Sequence, residues 1–213
     1  MHFDYSTPSI ADPSVTPAFD AMRLDQAMTH VAARIVHDIV NPLGAIANGL
    51  ELLELSGFPK TEEFQLMEQS VQNAQERIKV IRLAFGPVKT ESVLPAQQLC
   101  HTLSLIFTQP RYALTCQFGE TLPNAHARLI CLLALCAVDA IPFGGTVHVG
   151  EPHLRIESTT KVNFGVFEIS ADDAMADPSK LHFFYAHQIL LSLGTQLDVK
   201  SLKNGAEIVI PQG

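Results

Sequence analysis

Two apolar seams, separated by a short break, constrain the fold of this chain more than any other feature. In the first seam, apolar residues recur four and three positions apart, at Ile39, Leu43, Ile46, Leu50 and Leu53. The second seam has spacings of three and four throughout, at Phe64, Met67, Val71, Ala74, Ile78, Ile81 and Phe85. Such spacing is typical of helices that bury one stripe against another helix. The pattern therefore predicts two long helices.

The break between the seams predicts a turn. The segment SGFPK (56–60) contains a glycine and a proline, which interrupt helices. The first helix is predicted from Asp20 to Leu55. Thr61 is expected to cap the second helix, with acidic residues in its first turn, and Gly-Pro at 86–87 is expected to end it. Two helices joined in this way form an antiparallel hairpin.

A single hairpin buries too little of two such seams. We therefore expect a homodimer in which two hairpins form a four-helix bundle. The alternative is that the seams pack on the rest of the same chain.

The pattern changes after Pro87. Helices are predicted over 94–107, 124–141 and 178–193, and strands over 112–118, 146–151, 153–158, 162–170, 195–201 and 206–210. This mixture predicts an α/β sandwich with a mostly antiparallel or mixed sheet and helices on one face. The fold class is then α+β. A flexible N-terminal segment (1–19) precedes a helical hairpin domain (20–87) and a sandwich domain (88–213).

Composition excludes several functional classes. The net charge is −8, from 14 basic and 22 acidic residues, which argues against nucleic-acid binding. The four cysteines have no metal-ligand spacing and are expected to be buried free thiols; they are Cys100, Cys116, Cys131 and Cys136. No secretory signal pattern is present, and the most apolar stretch (129–141) is too short to span a bilayer. We expect a soluble cytoplasmic protein without a membrane partner.

One face of the first helix carries a histidine among polar and small residues. At about 100° per residue, five residues project to one side, largely away from the seam: Arg34, His37, Asn41, Gly44 and Asn48. His37 is therefore expected to face solvent or a partner. A neutral imidazole offers a lone pair that can attack a phosphoryl group.

The neighbours of His37 suit this chemistry. Asp38 is placed by sequence to orient a ring nitrogen or accept a proton. Pro42 should break the hydrogen bond to the carbonyl of Asp38 and bend the helix just beyond His37. Gly44 removes side-chain bulk, so a partner could approach closely. A histidine and a proline by themselves also fit an ordinary surface histidine beside an incidental kink.

A longer pattern favours the functional interpretation. The string HDIVNPLGAI (37–46) resembles the H-box of sensor histidine kinases, and VHDIVNPLGAIANGLELLE (36–54) resembles the ChpT family of histidine phosphotransferases. The second domain resembles that family more weakly, through AVDAIPFGG (137–145). The resemblance implies that His37 accepts the phosphoryl group and that the bundle is a dimerisation and phosphotransfer domain. Arg34, Asn41, Gly44 and Asn48 would then contact a receiver domain.

The resemblance also implies that the second domain descends from a kinase ATP-binding domain that has lost its ligands. Kinases hold metal and phosphates with asparagines on one helix, but the matching positions here are Leu132 and Cys136. The expected glycine-rich loop and lid are replaced by ADDAMADPSK (171–180) and LHFFYAHQIL (181–190), which contain no glycine. We expect no ATP binding, no cofactor held by this chain, and magnesium supplied by the partner receiver.

These expectations define a function and two alternatives. We predict a histidine phosphotransferase of a bacterial two-component phosphorelay, which takes a phosphoryl group from a receiver aspartate of a hybrid histidine kinase and passes it to a response-regulator aspartate. The alternatives are an autophosphorylating kinase with an unorthodox nucleotide site, and a non-catalytic dimeric scaffold that binds receivers. His30 is the only rival acceptor. Asp172 and Asp173 are interpreted as a solvated loop rather than a metal pair.

Overall fold

The computed structural model describes residues 17–88, 92–158, 160–167, 176–192 and 195–210. The helices are α1 (Pro17–Leu55), α2 (Glu62–Phe85), α3 (Ala96–Ser104), α4 (Asn124–Ala140) and α5 (Leu181–Ser192). The strands are β1 (Val93–Pro95), β2 (Tyr112–Gln117), β3 (Thr121–Pro123), β4 (Gly145–Gly150), β5 (His153–Glu157), β6 (Asp198–Leu202) and β7 (Gly205–Val209).

The helical hairpin forms as the sequence predicts. Gly57 has a φ of 83°, the left-handed conformation that glycine adopts without strain. The backbone N–H of Phe64 donates to the Thr61 hydroxyl at 3.3 Å, so Thr61 caps α2 as expected. Gly86 is the C-cap. Helix α1 starts at Pro17, three residues before the predicted start at Asp20.

The two seams are only partly covered within one chain. Leu50, Phe64 and Ile78 are buried between the helices and their neighbours. Other seam residues keep 39–51% of their surface exposed; they are Ile39, Ile46, Leu53, Met67 and Ile81. Ile35 and Val31, one and two turns before Ile39, extend this exposed apolar stripe along α1. The rest of the chain therefore covers only part of each seam.

The second domain is an α/β sandwich, which confirms the predicted fold class. Its five-stranded sheet has the order β2-β4-β5-β7-β6, with β2 parallel to β4 and the other neighbours antiparallel. Residues on one face of the sheet, such as Val147 and Ile156, are buried in the same core as α4 and α5. Arg155 alternates with them and is exposed on the other face.

Two segments differ from the prediction. The helix expected over 94–107 is shorter, because Val93–Pro95 pairs instead with Thr121–Pro123 as a two-stranded sheet. Pro95 has no N–H to give to a helix and precedes the first turn of α3. Sequence periodicity could not reveal this pairing because its partner strand lies 28 residues further along the chain.

The strand predicted over 162–170 is wrong where it is described. Phe164–Phe167 forms a turn of 3-10 helix, and 168–170 lie outside the described residues. Val162, which precedes this turn, and Val166, which lies within it, are both buried. The N–H of Asn163 donates to the carbonyl of Ala140 at 2.9 Å, which ties this segment to the end of α4.

The last two predicted strands pair as an antiparallel hairpin, and the space around one glycine in it admits no larger residue. The turn is Lys203–Asn204, between β6 and β7. A Cβ atom on Gly205 would lie 1.9 Å from the carbonyl oxygen of Ile156, so no larger residue fits there.

A cluster around Arg128 joins the hairpin to the second domain. The Arg128 guanidinium, with its side chain 6% exposed, lies 2.7 Å from the Asp25 carboxylate. It also donates to the carbonyl of Ala84 at 3.2 Å and to the Thr29 hydroxyl at 3.3 Å. The Tyr185 hydroxyl donates to Asp25, and the guanidinium lies 5.0 Å from the Tyr185 ring centroid. This Arg128 junction therefore links α1, α2, α4 and α5.

The cysteines are free, as predicted, but only two of them are fully buried. Cys131 and Cys136 lie in the core, whereas Cys100 and Cys116 are half-buried. Burial raises the pKa of the Cys131 thiol to about 12, so this thiol is protonated and unreactive near neutral pH. Among the helices that the structure describes, none is both long and apolar enough to cross a bilayer.

Candidate functional site

His37 lies in an exposed polar triad on α1. Its side chain is 71% exposed, and its Nδ1 atom lies 3.1 Å from Oδ1 of Asp38. The other carboxylate oxygen of Asp38 accepts a hydrogen bond from Nε of Arg34 at 2.7 Å. An ionised carboxylate only accepts hydrogen bonds, so this contact places the ring proton on Nδ1. The lone pair of Nε2 is then free for attack.

Arg34 and Asp38 are one helical turn apart, and this spacing brings their side chains together on the helix surface. The guanidinium neutralises the carboxylate and holds it in place, and the carboxylate in turn orients the imidazole. The sequence prediction placed Arg34 on the His37 face as a partner-contacting residue. The structure shows that its guanidinium already binds within the chain.

A groove of about 390 Å³ adjoins His37. Helix α1 contributes His37, Asn41 and apolar neighbours to this His37 groove, and the end of α2 contributes Arg82, Gly86 and Pro87. Sequence reasoning did not identify Arg82. The sequence contained the information needed to find it. Residues at equal distances from the turn of an antiparallel hairpin lie opposite one another, and the end of α2 is about as far from the turn as His37 is.

The other residues predicted on the His37 face of α1 leave this face accessible to a partner. Asn41 and Asn48 are exposed, and a Cβ atom on Gly44 would meet no atom within 4 Å. Helix α1 continues through Pro42 as α-helix. The bend beyond His37 stays a prediction.

His30 is exposed on the same side of α1, about two turns before His37. In the described part of the chain, no acidic side chain lies within ion-pair distance of His30. His37 differs because Asp38 orients its ring.

The second domain shows apolar packing at the positions matched to kinase metal ligands. Leu132 and Cys136 are 0% and 2% exposed and belong to the core. The cavity beside Cys136, lined also by Leu133 and Phe183, has a volume of about 170 Å³, below the roughly 300–1,000 Å³ of typical small-molecule sites. Asp172 and Asp173 lie outside the described residues. Within the ranges described, no three His, Cys, Asp or Glu side chains are grouped as metal ligands.

Comparisons with known proteins identify a family and a curated relative of this chain. The family model of the histidine phosphotransferase C-terminal domain matches residues 97–205, about half of the chain. The protein phosphotransferase ChpT of Brucella abortus (strain 2308) is 32% identical over 121 residues, which cover 56% of this chain and 57% of that protein. The match thus spans a little over half the length of this curated relative.

A solved structure shares the fold of this chain. A structure described as a bacterial phosphotransferase superposes with a TM-score of 0.59 at 23% identity, covering 93% of this chain and 98% of that one. A histidine kinase domain from Erythrobacter litoralis superposes with a TM-score of 0.41 at 15% identity, covering 79% of this chain and 93% of that one.

Proposed function

Because the chain belongs to the histidine phosphotransferase family, we propose that it transfers phosphoryl groups between receiver domains of a phosphorelay through His37. The observation that carries this proposal is the ordered triad of Arg34, Asp38 and His37, which leaves Nε2 exposed beside a groove. The donor is the receiver of a hybrid histidine kinase, and the acceptor is the receiver of a response regulator.

The transfer step follows from the tautomer. The Nε2 lone pair of His37 attacks the phosphorus of the receiver's acyl phosphate, the P–O bond breaks, and the receiver carboxylate leaves with its electron pair. The product ring is positively charged and keeps its proton on Nδ1, where the Asp38 carboxylate stabilises it. Attack by the carboxylate of a second receiver reverses these changes. Asp38 therefore acts by orientation and charge rather than as a proton acceptor.

Positioning and charge neutralisation suffice for such a transfer, since phosphoryl transfer needs little covalent chemistry from the protein. We propose that the receiver supplies the magnesium ion and that this chain supplies the imidazole. The core burial of Leu132 and Cys136 supports the further proposal that this chain does not bind ATP, because neither side chain can hold magnesium.

We also propose that the second domain helps to dock the receiver. A second groove of about 480 Å³ shares Arg82, Gly86 and Pro87 with the His37 groove. It continues between the domains to Gln98 and His101 of α3. The Arg128 junction holds these two surfaces together, so a receiver over His37 could contact both.

An assay with two phosphate sources tests the function. Incubation with a phosphorylated receiver is expected to label His37, whereas incubation with labelled ATP alone is expected to leave the chain unlabelled. Mass spectrometry of the labelled peptide identifies the residue. Label appearing on His37 from ATP alone would instead support the autophosphorylating kinase.

The exposed apolar stripe on α1 supports a homodimer through a four-helix bundle. We predict that Ile46→Glu converts the dimer to a monomer, because it places a charge within this stripe on both protomers. Losing one buried isoleucine from each protomer should raise the dissociation constant of the dimer by a factor of roughly one hundred or more. Light scattering after size-exclusion chromatography measures the mass.

Phe143→Glu is the matched control, because Phe143 is 77% exposed but lies in the second domain, away from the stripe. It should leave the mass unchanged. A dimer that survives Ile46→Glu, or a wild-type chain that is monomeric, would contradict the four-helix bundle.

A further inference from the structure

Arg82 is the uncompensated cation of the His37 groove. It lies in the last turn of α2, is exposed, and lines the groove together with His37. Arg34, the other cation near His37, is already paired with Asp38 at 2.7 Å. In the ranges that the structure describes, no carboxylate lies within ion-pair distance of Arg82, and no Asp or Glu lines this groove.

The adjoining groove does not neutralise this charge. Its lining adds Lys79 and His101 and, among the residues that the structure describes, contains no acidic side chain. The chain as a whole carries a net charge of −8, so an acid-free surface of this kind differs from the rest of the molecule. An anion that enters the His37 groove would meet an Arg82 guanidinium that forms no ion pair with any carboxylate of the described residues.

We infer that the Arg82 guanidinium binds the phosphoryl oxygens when the phosphoryl group is attached to Nε2 of His37, an inference that rests on the proposed function. A guanidinium presents two N–H groups in a planar fork that matches two phosphoryl oxygens. Arg82 forms hydrogen bonds only; the bond that forms or breaks is Nε2–P. A docked receiver brings its own metal ion, but Arg82 is the cation that remains in the groove after the receiver leaves.

Phosphoramidate, a small phosphoryl donor, isolates this role because it needs no receiver surface. Its P–N bond breaks as the Nε2–P bond forms, and ammonia leaves. The full chain is incubated with phosphoramidate, and phosphohistidine is followed by ³¹P nuclear magnetic resonance. Arg82→Ala is expected to slow the loading of His37 about tenfold or more, which is the effect of losing one charge-assisted hydrogen bond. Arg82→Lys should restore part of the rate because it retains the charge.

Lys79→Ala is the matched control. Lys79 is an exposed cation one turn earlier on α2 that lines the adjoining groove but not the His37 groove. It should load at the wild-type rate. If Arg82 served only to complement the dipole at the end of α2, Arg82→Ala would lower the thermal midpoint and leave the loading rate of the folded protein unchanged.

The outcomes separate the two claims. If wild-type protein and Arg82→Ala load His37 at the same rate, the inferred role of Arg82 is wrong and the proposed function is unaffected. Wild-type protein in which phosphoramidate labels no histidine overturns the proposed function and the role of Arg82 with it. Equal losses in Arg82→Ala and Lys79→Ala would show a general charge effect and overturn a specific contact.

Discussion

Replacing His37 with alanine is expected to abolish phosphoryl transfer between receivers. The proposed reaction passes through a covalent bond to Nε2, and an alanine side chain has no atom that can form such a bond. Removing a nucleophile that forms the covalent intermediate costs at least about a thousandfold in rate. The expected readout is no labelled chain and no labelled acceptor receiver over the time in which wild-type protein completes the transfer.

His30→Ala is the control for this prediction. His30 is exposed on the same side of α1, yet in the described part of the chain it has no carboxylate to orient its ring. Transfer through His30→Ala should match the wild type. The side chain of His37 is 71% exposed and contributes no core packing, so His37→Ala should also keep the wild-type thermal midpoint.

Two results would contradict this prediction in different ways. Transfer that survives His37→Ala and disappears in His30→Ala would show that His30, and not His37, accepts the phosphoryl group. Transfer that survives both substitutions would favour the non-catalytic scaffold, which brings receivers together without carrying the phosphoryl group.

Replacing Arg128 with methionine is expected to lower the free energy of unfolding by about 3 kcal/mol, at the lower end of the cost of breaking a buried ion pair. The change removes the ion pair with Asp25 and leaves the carbonyl of Ala84 without its donor. The lower end applies because the Asp25 side chain is 38% exposed and water can partly solvate it. Urea denaturation measures the loss through its midpoint.

Arg155→Met is the matched control. Arg155 pairs with Glu157 at 3.5 Å on the exposed face of the sheet, and both side chains are more than half exposed. Exposed pairs of this kind contribute about 0–1 kcal/mol to stability, so Arg155→Met should change the free energy of unfolding by no more than that.

A double variant of Arg128→Met with Asp25→Leu should recover part of the stability lost in Arg128→Met, because it no longer leaves an unpaired carboxylate at the junction. Wild-type stability in Arg128→Met would show that the junction does not hold the domains together.

Some of the site could be predicted from the sequence because it depends on one helix. The spacing of His37, Asn41 and Asn48 places them on one face whatever else the chain does. The ion pair of Arg34 with Asp38 follows from its spacing of four residues. The pairing of Asp38 with His37 is equally local.

The rest of the site depends on residues far apart in the chain. Arg82 reaches the His37 groove only because α2 returns antiparallel to α1. The contact between Arg128 and Asp25 joins residues more than 90 positions apart, and no local periodicity reports it. The apolar alternation at Phe164–Phe167 favours a strand, but this segment forms a 3-10 turn next to the hydrogen bond between the Asn163 N–H and the Ala140 carbonyl, which no local pattern reports.

Local patterns along the chain predict the helical hairpin, its Thr61 cap, the exposed histidine and the alternation of helices and strands in the second domain, since each pattern extends over one element or its ends. Three features follow only from the fold of the whole chain: which cation lines the groove beside His37, how the two domains are joined and which parts of the seams stay uncovered. These features depend on which distant side chains share a buried volume, and that is settled when the whole core packs.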